Sequence, residues 1–201
     1  MQHMLIVGLG NPGEQFKNTR HNLGQGIISA WVDMLQAQGA DIQLMQSKES
    51  LHARMQEILL NDVKITVLYP DVFMNESGKA VMQYLRYNEL DKKNILVVHD
   101  DLELPLGESR LQESGSAHGH NGMRSIHDFL GDTDIPQLRI GIGRPFAKAT
   151  GRAAASDINS LESFVLGKFT PEEQSILKEK QEAILDVITD IVVGNNASSR
   201  A

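Results

Sequence analysis

Hydrophobic and polar positions alternate along this chain in two different periods. Met4-Leu5-Ile6-Val7 is a continuous apolar run of the kind found in strands buried on both faces, and Gly8-Leu9-Gly10-Asn11-Pro12-Gly13 ends it. From about Arg20 to Gln38 the spacing is helical, with Leu23, Ile27, Trp31, Met34 and Leu35 on one side and Gly39 at the end. Leu51 to Leu60 and Val63 to Tyr69 read as strands joined by the turn pair Asn61-Asp62. Ser77 to Tyr87 is again helical through Val81, Met82 and Leu85. Ile95-Leu96-Val97-Val98 is a short β-branched run and is expected at the centre of the sheet. Asn121 to Leu130 predicts a helix and Gln137 to Ile142 a strand. Residues 171–193 predict a long C-terminal helix, with Pro171 in its first turn and Thr170 as its cap. Such alternation predicts an α/β fold: a single three-layer domain over residues 1–201, its twisted mixed sheet flanked by helices. No repeat is found. Residues 146–160, rich in Ala, Ser and Gly, are expected to form a mobile lid before the last helix.

Composition narrows the function classes. With 201 residues the chain can bury roughly 70% of the surface it exposes when unfolded, so it needs no staples. It has no cysteine, which excludes disulfides and thiolate metal sites. The apolar run at the N-terminus is too short for a signal segment, and no stretch approaches the roughly 20 apolar residues of a membrane span. A monomeric, cytoplasmic protein with no membrane partner is expected. The net charge of -7 argues against broad nucleic-acid binding. It hides local asymmetry, however. From Leu138 to Arg152 lie Arg139, Arg144, Lys148 and Arg152 without an acid; Asp100, Asp101, Glu103, Glu108 and Glu113 face only Arg110 in their stretch. Solvated loop charge is the ordinary reading of both.

Gly8, Gly10 and Gly13 satisfy a dinucleotide-type glycine spacing. Glu14 follows at once, and the helix begins only near Arg20, so no helix N-terminus faces a pyrophosphate. A glycine turn that lets a loop pass close to something is the better reading, and no cofactor is expected. Small polar residues also gather where strands end: Asn11, His21-Asn22, Asn75, His99-Asp100 and Asn121. In open α/β sheets ligands bind beyond those ends. Each has an ordinary alternative; Asn75, Ser77 or Asn121 can cap a helix. A histidine with a carboxylate partner is a general base, worth about 10²–10⁴ in rate, and an amide oxyanion donor is worth about 10²–10³. With no Gly-x-Ser-x-Gly elbow and no cysteine, the attack would come from water. A metal route through His118, His120 and His99-Asp100-Asp101 is weaker, because His-Glu-x-x-His is missing.

Six blocks together resemble the bacterial peptidyl-tRNA hydrolase family: Val7 to Gly13, Thr19-Arg20-His21-Asn22, Phe73 to Gly78, His99-Asp100-Asp101-Leu102, Gly119-His120-Asn121-Gly122 and Leu138 to Gly143. They occur in family order. The resemblance implies hydrolysis of the ester between an N-blocked peptide and the 3′ ribose of tRNA. It implies His21 as the base, Asp100 as its orienting carboxylate and Asn11 as the residue that separates blocked from free aminoacyl ends. Asn75 and Asn121 would position the ester and the 3′ end, Phe73 and Met74 would touch that end, and Phe16 would supply a stacking face where the family has Tyr. Arg139 would belong to a phosphate clamp whose second cation is here Gln112. The rivals are a non-catalytic RNA-binding relative and an esterase for small N-acyl esters.

Overall fold

The structure, a computed structural model, describes residues 2–145 and 158–198. The chain runs β1 (Gln2–Gly8), α1 (Leu23–Ala37), β2 (Asp41–Ile42), β3 (Gln46–Lys48), β4 (Ala53–Leu60), β5 (Val63–Pro70), α2 (Ser77–Tyr87) and β6 (Ile95–Asp101). It continues through β7 (Ser109–Gln112), α3 (Asn121–Leu130), β8 (Gln137–Gly141), α4 (Ile158–Val165) and α5 (Pro171–Ser198). Along the sheet the order is β2-β4-β5-β1-β6-β8-β7, with β3 also on β4. The four central strands β5, β1, β6 and β8 are parallel, and antiparallel pieces close both edges.

The apolar run that opens the chain explains this centre. Successive side chains of a strand point to opposite faces. Met4 and Ile6 enter the core beneath α1 and α5, with Trp31, Ile28, Ile184 and Ile188. Leu5 and Val7 enter the second core beneath α2 and α3, with Tyr84, Met123 and Ile126. Leu96 and Val98 of β6 go to the first core, and Ile95 and Val97 to the second.

The main elements stand where the periodicity put them. Thr170 caps the last helix as expected. Its hydroxyl accepts from Glu173 N at 3.3 Å and its N–H donates to the Glu173 carboxylate at 2.7 Å, a reciprocal box. Three further features depart from expectation. A 3₁₀ turn, Arg20–Asn22, precedes α1, so the helix itself starts at Leu23. β6 does not stop at Val98 but carries His99, Asp100 and Asp101 within the ladder to β8. The edge pieces β2, β3 and β7 and helix α4 were not predicted. Gln46-Ser47-Lys48 is wholly exposed and shows no apolar alternation; only pairing to β4 makes it a strand. The expected lid, residues 146–160, falls outside the described residues except for 158–160, which open α4. No helix among the described residues is long and apolar enough to cross a membrane.

Close approach brings α1 onto the strand ends. A Cβ on Gly24 would lie 2.2 Å from the carbonyl oxygen of Val98 and 3.0 Å from Leu9 N, so only glycine permits this packing. The loop Gly8 to Gly13 likewise passes against Gln25: a Cβ on Gly8 would sit 3.1 Å from its Cα. The glycine motif is thus a close-packing turn, as expected, with the helix start held against it.

Candidate active site

The turn before α1 sends successive side chains to different parts of the molecule. Thr19 Oγ1 donates back to the carbonyl of Phe16 at 2.7 Å. Arg20 turns toward the C-terminal segment. His21 Nδ1 meets Asp100 at 3.0 Å from Oδ1 and 3.2 Å from Oδ2. Asn22 Oδ1 accepts from Asn11 N at 2.9 Å, and its amide donates to the Asn11 carbonyl at 2.9 Å. Because residues alternate along β6, Asp100 lies on the same face as Leu96 and Val98, the face α1 covers. That parity places the carboxylate beneath His21.

His120 completes the group, and its protonation follows from its neighbours. It caps α3 and its Nδ1 accepts from Met123 N at 3.2 Å. Nδ1 must therefore carry a lone pair, so Nε2 carries the proton and donates to Asp100 Oδ1 at 3.1 Å. Its ring lies 4.7 Å from that of His21 and 4.5 Å from that of His99. His99 is buried behind it, bonded to Gln137 at 2.9 Å and to the Asp100 carbonyl at 2.8 Å. Asp100 thus receives an N–H from each of two imidazoles. Burial alone would raise its pKa, but the two histidines outweigh burial and hold the carboxyl far below the ordinary carboxylate range. Burial lowers the pKa of His120 to about 4, against the pull of Asp100.

His21, Asp100 and His120 also hold potential metal-ligand atoms within 4.8 Å of one another. The hydrogen bonds argue for a different use. The His120 nitrogen facing Asp100 is a proton donor, and its lone pair is spent on Met123 N–H. The pairing of His118 with His120 that the sequence suggested does not form. His118 turns to Glu103 and Gln112, each at 3.0 Å.

Titration should leave a mark on stability. A histidine whose folded pKa is lowered binds its proton more readily when unfolded, so stability rises with pH between the two values. For His120 that window runs from about 4 to 6.5. His99, also lowered chiefly by burial, pushes the same way. Asp100 adds stability that is present above its ordinary 3.8 and is lost as pH falls below it. The urea midpoint should therefore fall as pH drops from 7 to 4.5. His120→Asn, which keeps a good cap but cannot titrate, should flatten that slope; equal slopes in both proteins would refute the assignment.

Asn11 is fixed by what it must accept. Its Oδ1 takes the Met74 N–H at 2.8 Å, which leaves Nδ2 as the outward donor. Phe16 and Phe73 form an edge-to-face pair, 6.3 Å between centroids at 88°, and Phe73 is 54% exposed. Asn75 is exposed in the turn before α2, and Asn121 is exposed as the first residue of α3. Neither caps its helix; Glu76 and His120 hold those positions.

Two expectations need correction. Met74 is not a surface contact: its side chain is 4% exposed in the core beneath α2 and α3, and its backbone N–H is what serves the site. Arg139 does not present its charge outward. It is 4% exposed, with Nε donating to Asp101 Oδ2 at 2.5 Å and Nη1 to Gln112 Oε1 at 3.0 Å. Its Nη2 lies 3.6 Å from Glu103, which also pairs with Arg144 at 3.7 Å. Among the described residues, Arg139 and Arg144 of the basic stretch thus pair with Asp101 and Glu103 of the acidic one, brought together by the β6–β8 ladder. Arg139→Ala should thus cost about 3–5 kcal/mol in urea unfolding, because it strands Asp101 in the interior. A loss below about 1 kcal/mol would show that the pair matters little.

Sequence reading gave His120 no role but that of a ligand, although it stands directly before a helix, where a cap is needed. Asn22 was singled out with His21 among the polar residues near strand ends, but its bonds to Asn11 were not foreseen.

A three-layer α/β protein with a histidine–carboxylate pair and amides at its strand ends carries groups suited to a hydrolase. The peptidyl-tRNA hydrolase family profile matches residues 5–200. A peptidyl-tRNA hydrolase of Halalkalibacterium halodurans is 39% identical over 175 residues, spanning 87% of this chain and 85% of the relative. That of Chloroflexus aggregans is 38% identical over 189 residues, 94% of this chain and 92% of the relative. The crystal structure of peptidyl-tRNA hydrolase from Acinetobacter baumannii superposes with a TM-score of 0.82 at 29% identity, covering 97% of this chain and 91% of that one. The chain belongs to the peptidyl-tRNA hydrolase family.

Proposed function

We propose that the chain hydrolyses the ester between an N-blocked peptide and the 3′ ribose of tRNA, with water activated by His21. The pair His21–Asp100 carries this reading. Asp100 accepts the Nδ1 proton, so the neutral ring turns its Nε2 lone pair toward the site. Nε2 takes a proton from water as the water oxygen bonds to the ester carbonyl carbon. When the carbon–oxygen bond to the ribose breaks, the same nitrogen returns the proton to the departing 3′ oxygen. Peptide acid and free tRNA leave, and His21 is regenerated.

The amides suit the rest of the ester. Asn11 Nδ2 is a donor for a peptide carbonyl, and its orientation is set by Met74 N–H. Asn75 and Asn121 flank the same strand ends and offer donors to the developing oxyanion. The exposed edge of the Phe16–Phe73 pair suits the terminal base of tRNA. Arg139, held by Asp101, is a framework residue in this scheme rather than a clamp. The scheme uses no cofactor, and the chain acts as a cytoplasmic monomer.

The direct test is release of N-acetyl-amino acid from N-acetyl-aminoacyl-tRNA by the purified chain. Release from the blocked substrate and not from free aminoacyl-tRNA is expected. No release would leave a non-catalytic RNA-binding role. Equal turnover of a small N-acyl ester lacking tRNA would favour the small-ester esterase.

A further inference from the structure

Arg20 precedes His21 by one residue, and the two terminal nitrogens of its side chain are engaged away from the catalytic group, while its buried Nε has no hydrogen-bond partner among the described residues. Nη2 pairs with Glu173 Oε2 at 2.6 Å, and Nη1 donates to the carbonyl of Phe164 at 3.2 Å. The guanidinium lies 4.2 Å from the Phe164 ring centroid and 5.2 Å from that of Phe169. Its backbone N–H donates to Gly167 O at 3.0 Å, and Thr19 beside it bridges to Lys168. A Cβ on residue 167 would come within 3.0 Å of Nη1, so the fit is close on that side too. Glu173, the ion partner, is the residue that closes the capping box of α5.

We infer that Arg20 is a positioning residue for the base: it ties the turn carrying His21 to the segment from Phe164 to Glu173. The C-terminal part of the chain thereby sets where His21 meets Asp100. The turn is short, and its side chains diverge. Asn22 holds the Asn11 loop, Gly24 seats the helix on Val98 O, and His21 reaches Asp100. Arg20 is the side chain in it that anchors to α4 and α5. Without that side chain only backbone contacts, the Arg20 N–H to Gly167 O and the Thr19–Lys168 bridge, hold the turn on that side, and the ring of His21 can drift along the edge of the carboxylate. A part-buried ion pair placed for stability alone has no need of a neighbour at the reacting group. This one adjoins it directly and adds a planar stack that lysine cannot form.

This inference rests on the proposed reaction for its kinetic arm, and its spectroscopic arm stands apart. In the full chain, Arg20→Lys keeps the charge but loses the fork and the stack, while Glu173→Gln keeps the capping box and removes the charge. Kinetics on N-acetyl-aminoacyl-tRNA should show kcat lower by about 10- to 100-fold in Arg20→Lys with KM little changed, as expected for a reacting group displaced by about 1 Å. Glu173→Gln should move the same way by less, and the double variant should be no worse than Arg20→Lys alone. In the free proteins, the NMR signal of the His21 Nδ1 proton should broaden or shift in the same order. Thermal unfolding identifies any variant that fails to fold, in which case Glu173→Gln and Phe164→Leu carry the test. A lower unfolding temperature with wild-type kcat and an unchanged His21 signal would overturn the proposal. So would a raised KM at unchanged kcat, which would make Arg20 a substrate contact. If the wild type releases no peptide, the proposed reaction fails, and the His21 signal still decides the link to Arg20.

Discussion

Replacing His21 by Ala should lower kcat for peptide release by about 10²–10⁴ while leaving KM nearly unchanged and the fold intact. The size follows from the part assigned to the ring. Water at neutral pH is a poor nucleophile, and in the proposed reaction His21 Nε2 accepts its proton while Asp100 holds the other nitrogen. Amide donors and bound geometry remain in the variant, so a residual rate above that in water is expected. His21→Asn sharpens the test, because it restores a hydrogen-bonding side chain at similar depth without a base near neutral pH. Single-turnover measurements on N-acetyl-aminoacyl-tRNA separate chemistry from binding. A variant that releases peptide at the wild-type rate would remove His21 from the reaction. A variant with wild-type kcat and raised KM would make it a binding residue.

The second large effect is expected at Asp100. Its Oδ1 takes an N–H from His21 at 3.0 Å and one from His120 at 3.1 Å. Asp100→Asn keeps the shape but removes the charge that draws both protons inward. An amide nitrogen facing His21 Nδ1 is a donor facing a donor, and the ring answers by moving its proton to Nε2. That nitrogen then has no lone pair for water. A fall in kcat of about 10²–10⁴ is expected, comparable to loss of the base itself. Stability should fall by about 1–3 kcal/mol, because the two buried imidazoles lose their charged acceptor. The pair Asp100→Asn and His21→Ala should be strongly non-additive, with the double variant little slower than either single one. Additive losses would show that the carboxylate acts independently of His21. A wild-type rate in Asp100→Asn would show that orientation of the ring needs no charge.

Most of the framework was legible from periodicity. Met4 to Val7 and Ile95 to Val98 have no polar alternation, and only a strand covered on both faces lacks it. Ser77 to Tyr87 and Asn121 to Leu130 were legible to the residue, because an apolar stripe and a glycine or polar border mark both ends. Edge strands were not. Ser109 to Gln112 is half-exposed, and its strand conformation comes from β8, not from its own pattern. The exposed amides and the histidine of the site were legible as types at strand ends, and the resemblance assigned them roles.

Two side chains show where that reading stopped. Arg139 and Met74 were taken as surface contacts by their place in recognisable blocks, and both lie inside. A sequence does not say which way a side chain at a strand end or turn is turned; that depends on what the neighbouring element offers. Asp101 and Gln112 come from strands paired only in the folded sheet, and they draw the guanidinium inward. The same holds for His120. As a sequence feature it is a histidine in a glycine loop. In the fold its Nδ1 caps α3 and its Nε2 donates to Asp100, which fixes its tautomer. The sequence by itself determined the layers, the buried strands and the presence of a base, a carboxylate and amides near strand ends. That is local information, carried by side-chain type and period. The resemblance had already named Asp100 as the carboxylate of His21; only the tertiary structure decided that His120 shares it, which charges cancel and which backbone N–H orients Asn11. Those are contacts between residues far apart in the chain, and hydrogen-bond direction and burial arise only once the elements are packed.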